Sequence, residues 1–570
     1  MTHVCVLIRY SVMAEKGKVL RVGVAQINPT VGDFNLNQGK ILDYIEDAEK
    51  AGLDLVVFPE LAICGYPVWD LANKKSFIEA NSRALKNICD GTRNGRITSV
   101  VGFIDYGKKR DGKNRNSLAV IQKGKIVFVQ HKTLLPTYDV FLEEIFFEPA
   151  DSYHVLNLRG VKIGTSICED IWEDSYSIKP VRILKRKGIQ ILINSSASPY
   201  HRRAPILREE VAVRRAKENK IWLIYVNQVG GQDDLVFDGR SFVVDPRGKV
   251  VARARPFQEE LFQVTIPLEP NKLPEIALEN PDEVQDMYQA LVLGIRDYVQ
   301  KNRFQKVVIG LSGGIDSALV ATLAADALGP KRVVGVTMPG TYSSKGSYED
   351  SEILAKNLGI EFRNQPIQSL YDSFLTQVAE RKQARNEALH PITLANENLQ
   401  ARLRALELTY MSNDEGYLLL STGNKSELAM GYCTIYGDMC GGLAVLGDVY
   451  KTDVYRIARY RNQISPVIPK AILEKAPSAE LRPNQKDQDS LPPYEILDQI
   501  LKLYIEKNMS DTEIIKALSE KGVSKEVILD TIRKMEHNEY KRRQTPPLIR
   551  VTEKAWFGRR MPITNRFGKS

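Results

Sequence analysis

Six consecutive residues, Ser312-Gly313-Gly314-Ile315-Asp316-Ser317, combine two hydroxyls, two glycines and a carboxylate directly after the apolar run 307–311. A helical pattern follows and closes at Gly329. A turn of this kind sits where a strand hands over to a helix, and the unpaired N–H groups of the helix N-terminus attract phosphate oxygens. Gly310, Gly313 and Gly314 let the backbone approach a phosphate closely. Ser312 and Ser317 add hydroxyl donors, and Asp316 can hold a Mg2+ that bridges phosphates. No Lys follows the glycines, so the stretch is not a Walker A loop.

A second set of reactive residues lies in the N-terminal half, in Phe58-Pro59-Glu60-Leu61, Gln130-His131-Lys132-Thr133 and Thr165-Ser166-Ile167-Cys168-Glu169-Asp170. Each follows an apolar run. A carboxylate, an ammonium and a thiol brought together can run acyl transfer: Glu60 takes the thiol proton, Cys168 attacks an amide carbonyl, and Lys132 stabilises the oxyanion. On spacing alone, a single Cys after a strand is more often a small buried residue.

Further polar turns follow the glycine loop. Met338 opens a segment, 338–346, that can cover a nucleotide. Asn398 and Arg402 share a helix face at i, i+4 spacing, and Arg402 suits a phosphate or carboxylate. The run 418–420 leads through Ser421 and Thr422 to Glu427, which is placed to join Asp316 as a Mg2+ ligand. Asp438 heads a glycine-rich turn, and Lys451 suits an ATP phosphate.

These residues need a scaffold of strands and helices. Val- and Ile-rich runs at 20–27, 53–58, 98–104, 118–121, 126–130, 161–167, 189–193 and 221–226 read as strands, with helical patterns near 37–51, 78–89, 180–187 and 206–219. This alternation predicts an α/β sandwich or barrel. Four prolines between 267 and 281 mark an extended connector. An α/β pattern restarts at 282, with a helix at 282–302 and a strand at 332–338, and resembles a doubly wound sheet. The expected organisation is therefore an N-terminal extension at 1–19, one domain at 20–266, a linker at 267–281 and a second domain at 282–570.

With 570 residues, 79 basic and 70 acidic, the net charge of +9 is a mild excess on a mixed surface and does not call for nucleic acid. Six dispersed cysteines without a Cys-x-x-Cys pair suggest neither a zinc site nor a disulfide framework. No apolar run approaches the ~18 residues of a membrane span. A cytoplasmic enzyme with no membrane partner is expected.

The glycine loop resembles the pyrophosphate loop of N-type ATP pyrophosphatases, which adenylate a substrate. The three N-terminal segments resemble the Glu-Lys-Cys triad of the nitrilase superfamily, which implies an αββα sandwich over 20–266. Together with Pro477-Ser478-Ala479-Glu480-Leu481 and the tail 539–544, the ordered set resembles the glutamine-dependent NAD+ synthetases. The resemblance implies that Glu60, Lys132 and Cys168 hydrolyse glutamine, with Glu143 in support. It implies Tyr138, Glu169 and Ser196 or Ser198 as glutamine contacts. For ATP it implies Gly310, Ser312, Gly313, Gly314, Asp316, Ser317, Met338, Thr422 and Lys451. For deamido-NAD+ it implies Asn398, Arg402, Glu427, Asp438 and Lys541, with Mg2+ on Asp316 and Glu427. It also implies a homo-oligomer and a protected path for ammonia.

Overall fold

The computed structural model describes residues 9–10, 19–107, 112–267, 281–388, 393–483 and 485–566. They divide after Pro281 into two compact units. Of the expected N-terminal extension only residues 9, 10 and 19 are described, and of the expected linker only its two ends; the rest of both lies outside the described residues.

The first unit is built on two sheets. One runs in the order Arg9–Tyr10, Glu260–Pro267, Val19–Gln26, Leu55–Val57, Thr98–Asp105, Arg115–Gln122, Lys125–His131. The other runs Val250–Arg253, Phe242–Val244, Trp222–Asn227, Ile191–Ser196, Val161–Ile167, Val155–Leu158. Alternate residues of the strands meet between the sheets: Val22, Val57 and Val100 of the first pack with Ile163, Ile191 and Ile224 of the second. The intervening residues are buried too. Val56, Val101 and Ala119 lie beneath helices Phe34–Lys50 and Lys75–Gly91, and Leu192 and Leu223 beneath Pro180–Arg186 and Ala204–Asn219. Strands covered on both faces read as continuous apolar runs, which is why the sequence marks them so plainly. The layers stack as αββα. The strands Leu55–Val57, Lys125–His131 and Val161–Ile167 lead into Glu60, Lys132 and Cys168 respectively.

The second unit holds five parallel strands in the order Glu361–Asn364, Val333–Thr337, Val307–Gly310, Leu418–Ser421, Leu443–Ala444. The direction of winding reverses between Val307–Gly310 and Leu418–Ser421, which opens a crevice above their C-terminal ends. Helix Ile315–Leu328 buries eleven of its fourteen residues, so its sequence is apolar nearly all round. It packs between the sheet and the helices Glu283–Lys301 and Lys451–Ile464. Leu403, Leu408 and Met411 of helix Leu394–Glu415 cover the opposite face of the sheet against Val308, Val334 and Leu419. No helix of the described residues is long and apolar enough to cross a membrane.

A buried charge ties the last segment of the chain to this core. Lys425 is fully buried, and its ammonium donates to Asp448 Oδ1 at 2.8 Å, Thr552 Oγ1 at 2.6 Å and the Lys554 carbonyl at 2.7 Å. It also lies 4.9 Å from the Tyr450 ring centre and 5.5 Å from that of Trp556. Asp448 Oδ2 accepts the backbone N–H groups of Val551 and Thr552 at 2.9 and 2.8 Å. Breaking a buried pair on one side leaves an uncompensated charge, so Lys425→Met is expected to destabilise the second unit by about 3–5 kcal/mol. Urea denaturation of the full chain checks this, and the double variant Lys425→Met/Asp448→Asn, which removes the unpaired charge but keeps an oxygen for the Val551 and Thr552 N–H groups, should recover part of the loss.

Candidate active sites

Lys132 is 1 % exposed, and its ammonium donates to Glu60 Oε1 at 2.8 Å and to Glu143 Oε1 at 2.7 Å. Glu60 Oε1 also accepts from Asn116 Nδ2 at 2.6 Å, while Oε2 accepts the Ala197 N–H at 2.9 Å. Tyr66 donates to Glu143 Oε1 at 3.0 Å. Burial by itself drives the Lys132 ammonium toward neutrality, but Glu143 and Glu60 outweigh it and hold its pKa well above the ordinary lysine range. Burial pushes the Glu143 carboxyl up, against the pull of Lys132. Gly102 permits this packing: a Cβ there would stand 2.4 Å from the Pro59 carbonyl oxygen and from the Leu61 nitrogen.

Cys168 follows its strand and opens a short 3-10 turn with φ +41°, a left-handed conformation that is costly for a side-chain-bearing residue and recurs at functional turns. Asp170 fixes that turn. Its Oδ1 accepts the N–H groups of Thr133 and Leu134 at 3.0 and 2.9 Å, and its Oδ2 accepts that of Ile167 at 3.0 Å. One buried carboxylate thus joins the segment after Lys132 to the residue before Cys168. Burial drives the Cys168 thiol well above its usual pKa, Glu60 adds to the effect and Lys132 opposes it. The resting sulfur is therefore a thiol. Alkylation of Cys168 by iodoacetamide, followed by mass spectrometry of its peptide, should keep accelerating past the ~8.5 at which a free cysteine ionises. A plateau at neutral pH would reveal a resting thiolate.

Next to Cys168 in sequence, Glu169 accepts from Tyr138 on Oε1 and Oε2 at 3.1 and 2.9 Å and from Tyr176 on Oε1 at 3.0 Å. Ser196 and Ser198 differ in their engagement. The Ser196 hydroxyl donates to Asn194 Oδ1 at 2.8 Å, and Asn194 Nδ2 in turn reaches the Cys168 carbonyl at 3.4 Å. Ser198 is half-buried and is held through its backbone N–H on Asn227 Oδ1 at 2.9 Å.

In the second unit a cleft of about 450 Å3 lies over the point where the sheet reverses. Gly310, Ser312, Gly314, Asp316 and Ser317 line it at one end, with Met338, Thr422, Glu427 and Lys451. Asp316 Oδ1 accepts from Asn424 Nδ2 at 2.9 Å, and Oδ2 accepts from the Lys451 ammonium. Lys451 also donates to Glu427 Oε1 at 3.2 Å. Asn424 caps the helix Lys425–Met430, accepting the Glu427 N–H at 3.0 Å while Glu427 Oε2 accepts the Asn424 N–H at 3.2 Å. Burial raises the pKa of the Glu427 carboxyl to about 8, although Lys451 opposes it. Gly313 does not line the cleft. Its φ is +71° and a Cβ would stand 2.6 Å from Ser347 backbone atoms, so its part is the close turn itself.

Residues 21–270 match the carbon-nitrogen hydrolase family and residues 287–545 the NAD synthase family. The chain is 45 % identical to the glutamine-dependent NAD+ synthetase of Aquifex aeolicus, over 97 % of its own length and 100 % of that protein's. This chain belongs to the glutamine-dependent NAD+ synthetases. The Thermotoga maritima synthetase is 43 % identical over 96 % of this chain and 99 % of its own. A solved structure of the Acinetobacter baumannii synthetase in complex with adenosine diphosphate is 38 % identical, superposes with a TM-score of 0.74, and is matched over 97 % of this chain and 99 % of that one.

The far end of the synthetase cleft is lined by Asn398, Asp438 and Lys541. Asn398 Oδ1 accepts from Thr434 Oγ1 at 2.8 Å, Asp438 Oδ1 accepts the Thr434 N–H at 2.6 Å, and Lys541 donates to the carbonyls of Gly431 and Cys433 at 2.7 and 2.9 Å. Arg402 is not among the described residues that line the cleft. Its guanidinium rests on the Ile435 carbonyl at 3.3 Å. The stripe of helix Leu394–Glu415 that faces the cleft passes through Asn398, Ala401, Arg404 and Ala405, so Asn398 lies at its edge and Arg402 beyond it. Arg404 takes the lining position, donating to the Met338 carbonyl at 3.1 Å, and burial lowers its pKa. Sequence reasoning also missed Tyr66, Asn116, Asp170 and Tyr176. Asp170 lies in the segment quoted for Cys168, but its sequence does not announce a backbone-binding role; Tyr66, Asn116 and Tyr176 lie in no recognisable motif.

Proposed function

We propose that the chain makes NAD+ by ATP-dependent amidation of deamido-NAD+, with glutamine as nitrogen donor. In the first unit Glu60 takes the Cys168 proton and the sulfur attacks the glutamine side-chain carbonyl carbon. The C–N bond breaks, the proton passes to the leaving nitrogen, and ammonia departs. Water then hydrolyses the thioester to glutamate, with Glu60 again as base. Lys132 neutralises the oxyanion, Glu143 holds Lys132, and Glu169 with Tyr138 and either Ser196 or Ser198 holds the amino-acid end of glutamine.

In the second unit the nicotinate carboxylate attacks the ATP α-phosphorus and pyrophosphate leaves. The N–H groups and hydroxyls of Ser312–Ser317, with Lys451, take up its charge. Ammonia then attacks the acyl-adenylate carbon and AMP leaves with the bridging oxygen. Asn398, Asp438 and Lys541 face the pyridine nucleotide. Asp316 and Glu427 present two carboxylates to one cation, at present the Lys451 ammonium, and this donor set suits Mg2+, which when bound would neutralise phosphate charge. The reading extends to a cytoplasmic homo-oligomer whose ammonia stays out of bulk water, where it would be protonated and inert.

What supports this reading most is one chain carrying both a buried Glu60–Lys132–Glu143 cluster at the Cys168 turn and a cleft on a glycine–serine loop opposite Lys451. Its test is NAD+ formation from deamido-NAD+, ATP and Mg2+, with glutamine or ammonium as nitrogen source. Failure with both sources would direct the search to other carboxylates that ATP can adenylate.

A further inference from the structure

Glu60 has two oxygens and therefore about four places for a hydrogen bond. Oε1 is filled by the Lys132 ammonium at 2.8 Å and Asn116 Nδ2 at 2.6 Å. Among the described residues, Oε2 carries only the Ala197 N–H at 2.9 Å. One lone pair of Oε2 is left, and it is the vacant basic position on a side chain that is 1 % exposed.

Asn116 makes this division. It stands in strand Arg115–Gln122 at the same parity as Leu118 and Val120, which face the interior between the sheets, and it is 1 % exposed. Its side-chain oxygen is buried with no hydrogen-bond partner among the described residues. A buried amide that leaves its carbonyl unsatisfied gives up stability to put its N–H where it is needed. The orientation is forced: turned over, the amide would set its oxygen against the Glu60 carboxylate at 2.6 Å. The amide nitrogen therefore fills the second position on Oε1 that a water or the Cys168 proton would otherwise take.

We infer that Asn116 is a positioning residue of the glutaminase, which directs proton transfer from Cys168 to Oε2 of Glu60 by occupying Oε1. The inference rests on the glutaminase reading above. It goes beyond the triad because the Asn116 side chain donates to Glu60 and acts through that carboxylate.

The test compares Asn116→Leu and Asn116→Asp with the unaltered full chain. Asn116→Leu keeps the shape and removes the donor; Asn116→Asp keeps the shape and sets a second carboxylate against the first. In Asn116→Leu the kcat for glutamine hydrolysis should fall roughly 10- to 100-fold, part of the ordinary contribution of a general base, with KM for glutamine within about threefold. Asn116→Asp should fall further, because a carboxylate cannot donate and repels Glu60. NAD+ formation from ammonium should be unchanged in both, which reports that the second unit is intact. A glutaminase kcat within about threefold of the unaltered chain in Asn116→Leu would overturn the inference, as would a loss confined to KM. An equal loss from glutamine and ammonium would also overturn it, since it would mark a structural defect. Cys168→Ala separates the two claims: if it still hydrolyses glutamine, the glutaminase reading itself fails, whatever the Asn116 variants do.

Discussion

Replacing Cys168 by alanine is expected to abolish NAD+ formation from glutamine, by about 10⁴-fold or more, while leaving formation from ammonium within about twofold. The size of the effect follows from what remains. On the proposed mechanism Glu60 and Lys132 remain in place, yet no atom is left to take the acyl group. Lys132 cannot replace the sulfur, because two carboxylates hold it as an ammonium. Ammonium bypasses the whole first unit. Parallel assays with the two nitrogen sources therefore separate loss of nitrogen supply from loss of synthesis, and an equal fall in both would contradict the assignment of Cys168 to glutamine.

Lys451→Met should have the opposite pattern. Synthesis from both nitrogen sources is expected to fall about 10³-fold, within the range seen when a preorganised charge is removed from a developing anion. Glutamine hydrolysis should persist. The Lys451 side chain is 3 % exposed and is the shared hydrogen-bond donor to Asp316 and Glu427. Burial opposes its charge, but Asp316 and Glu427 hold its pKa above the ordinary lysine range. Without it Asp316 and Glu427 would face one another in a buried place with no shared cation, and on the proposed mechanism the leaving pyrophosphate would lose one too. Lys451→Arg is the informative companion: charge is restored, but a planar guanidinium cannot take the place of a compact ammonium between two carboxylates. Glutamate release measured alongside NAD+ checks that the first unit is untouched.

The sequence made the architecture legible where strands are covered on both faces. Val161–Ile167 is marked residue for residue, and Thr98–Asp105 and Trp222–Asn227 to within one at each end, because buried parallel-type strands leave unbroken apolar runs. Arg115–Gln122 shows only its last half, since Arg115, Asn116 and Ser117 read as a polar loop although all three are buried. The returning strands Phe242–Val244 and Val250–Arg253 are too short to show a period. Site residues at strand ends were legible for the same reason as the strands. Helix-borne ones were less so. Asn398 and Arg402 share a side of helix Leu394–Glu415, but spacing alone cannot say where the centre of the facing stripe lies, and it lies nearer Ala401. Asp170 and Asn116 act on backbone and carboxylate partners far away in sequence, which no local pattern announces.

Lys425 sits among the elements of the synthetase cleft, two residues before Glu427, yet two of the groups that satisfy its charge, Thr552 and Lys554, come from 127 and 129 residues further along. During translation, then, the helix Lys425–Met430 and the strand ends beside it exist for a long interval as a core with one ammonium lacking its full set of partners. The second unit can close only when the segment carrying Thr552 has left the ribosome and folded back. The first unit closes on its own last strand, Glu260–Pro267, which pairs with Val19–Gln26 and leaves the ribosome well before Thr552, so the order of synthesis completes the carbon-nitrogen hydrolase half before the NAD synthase half.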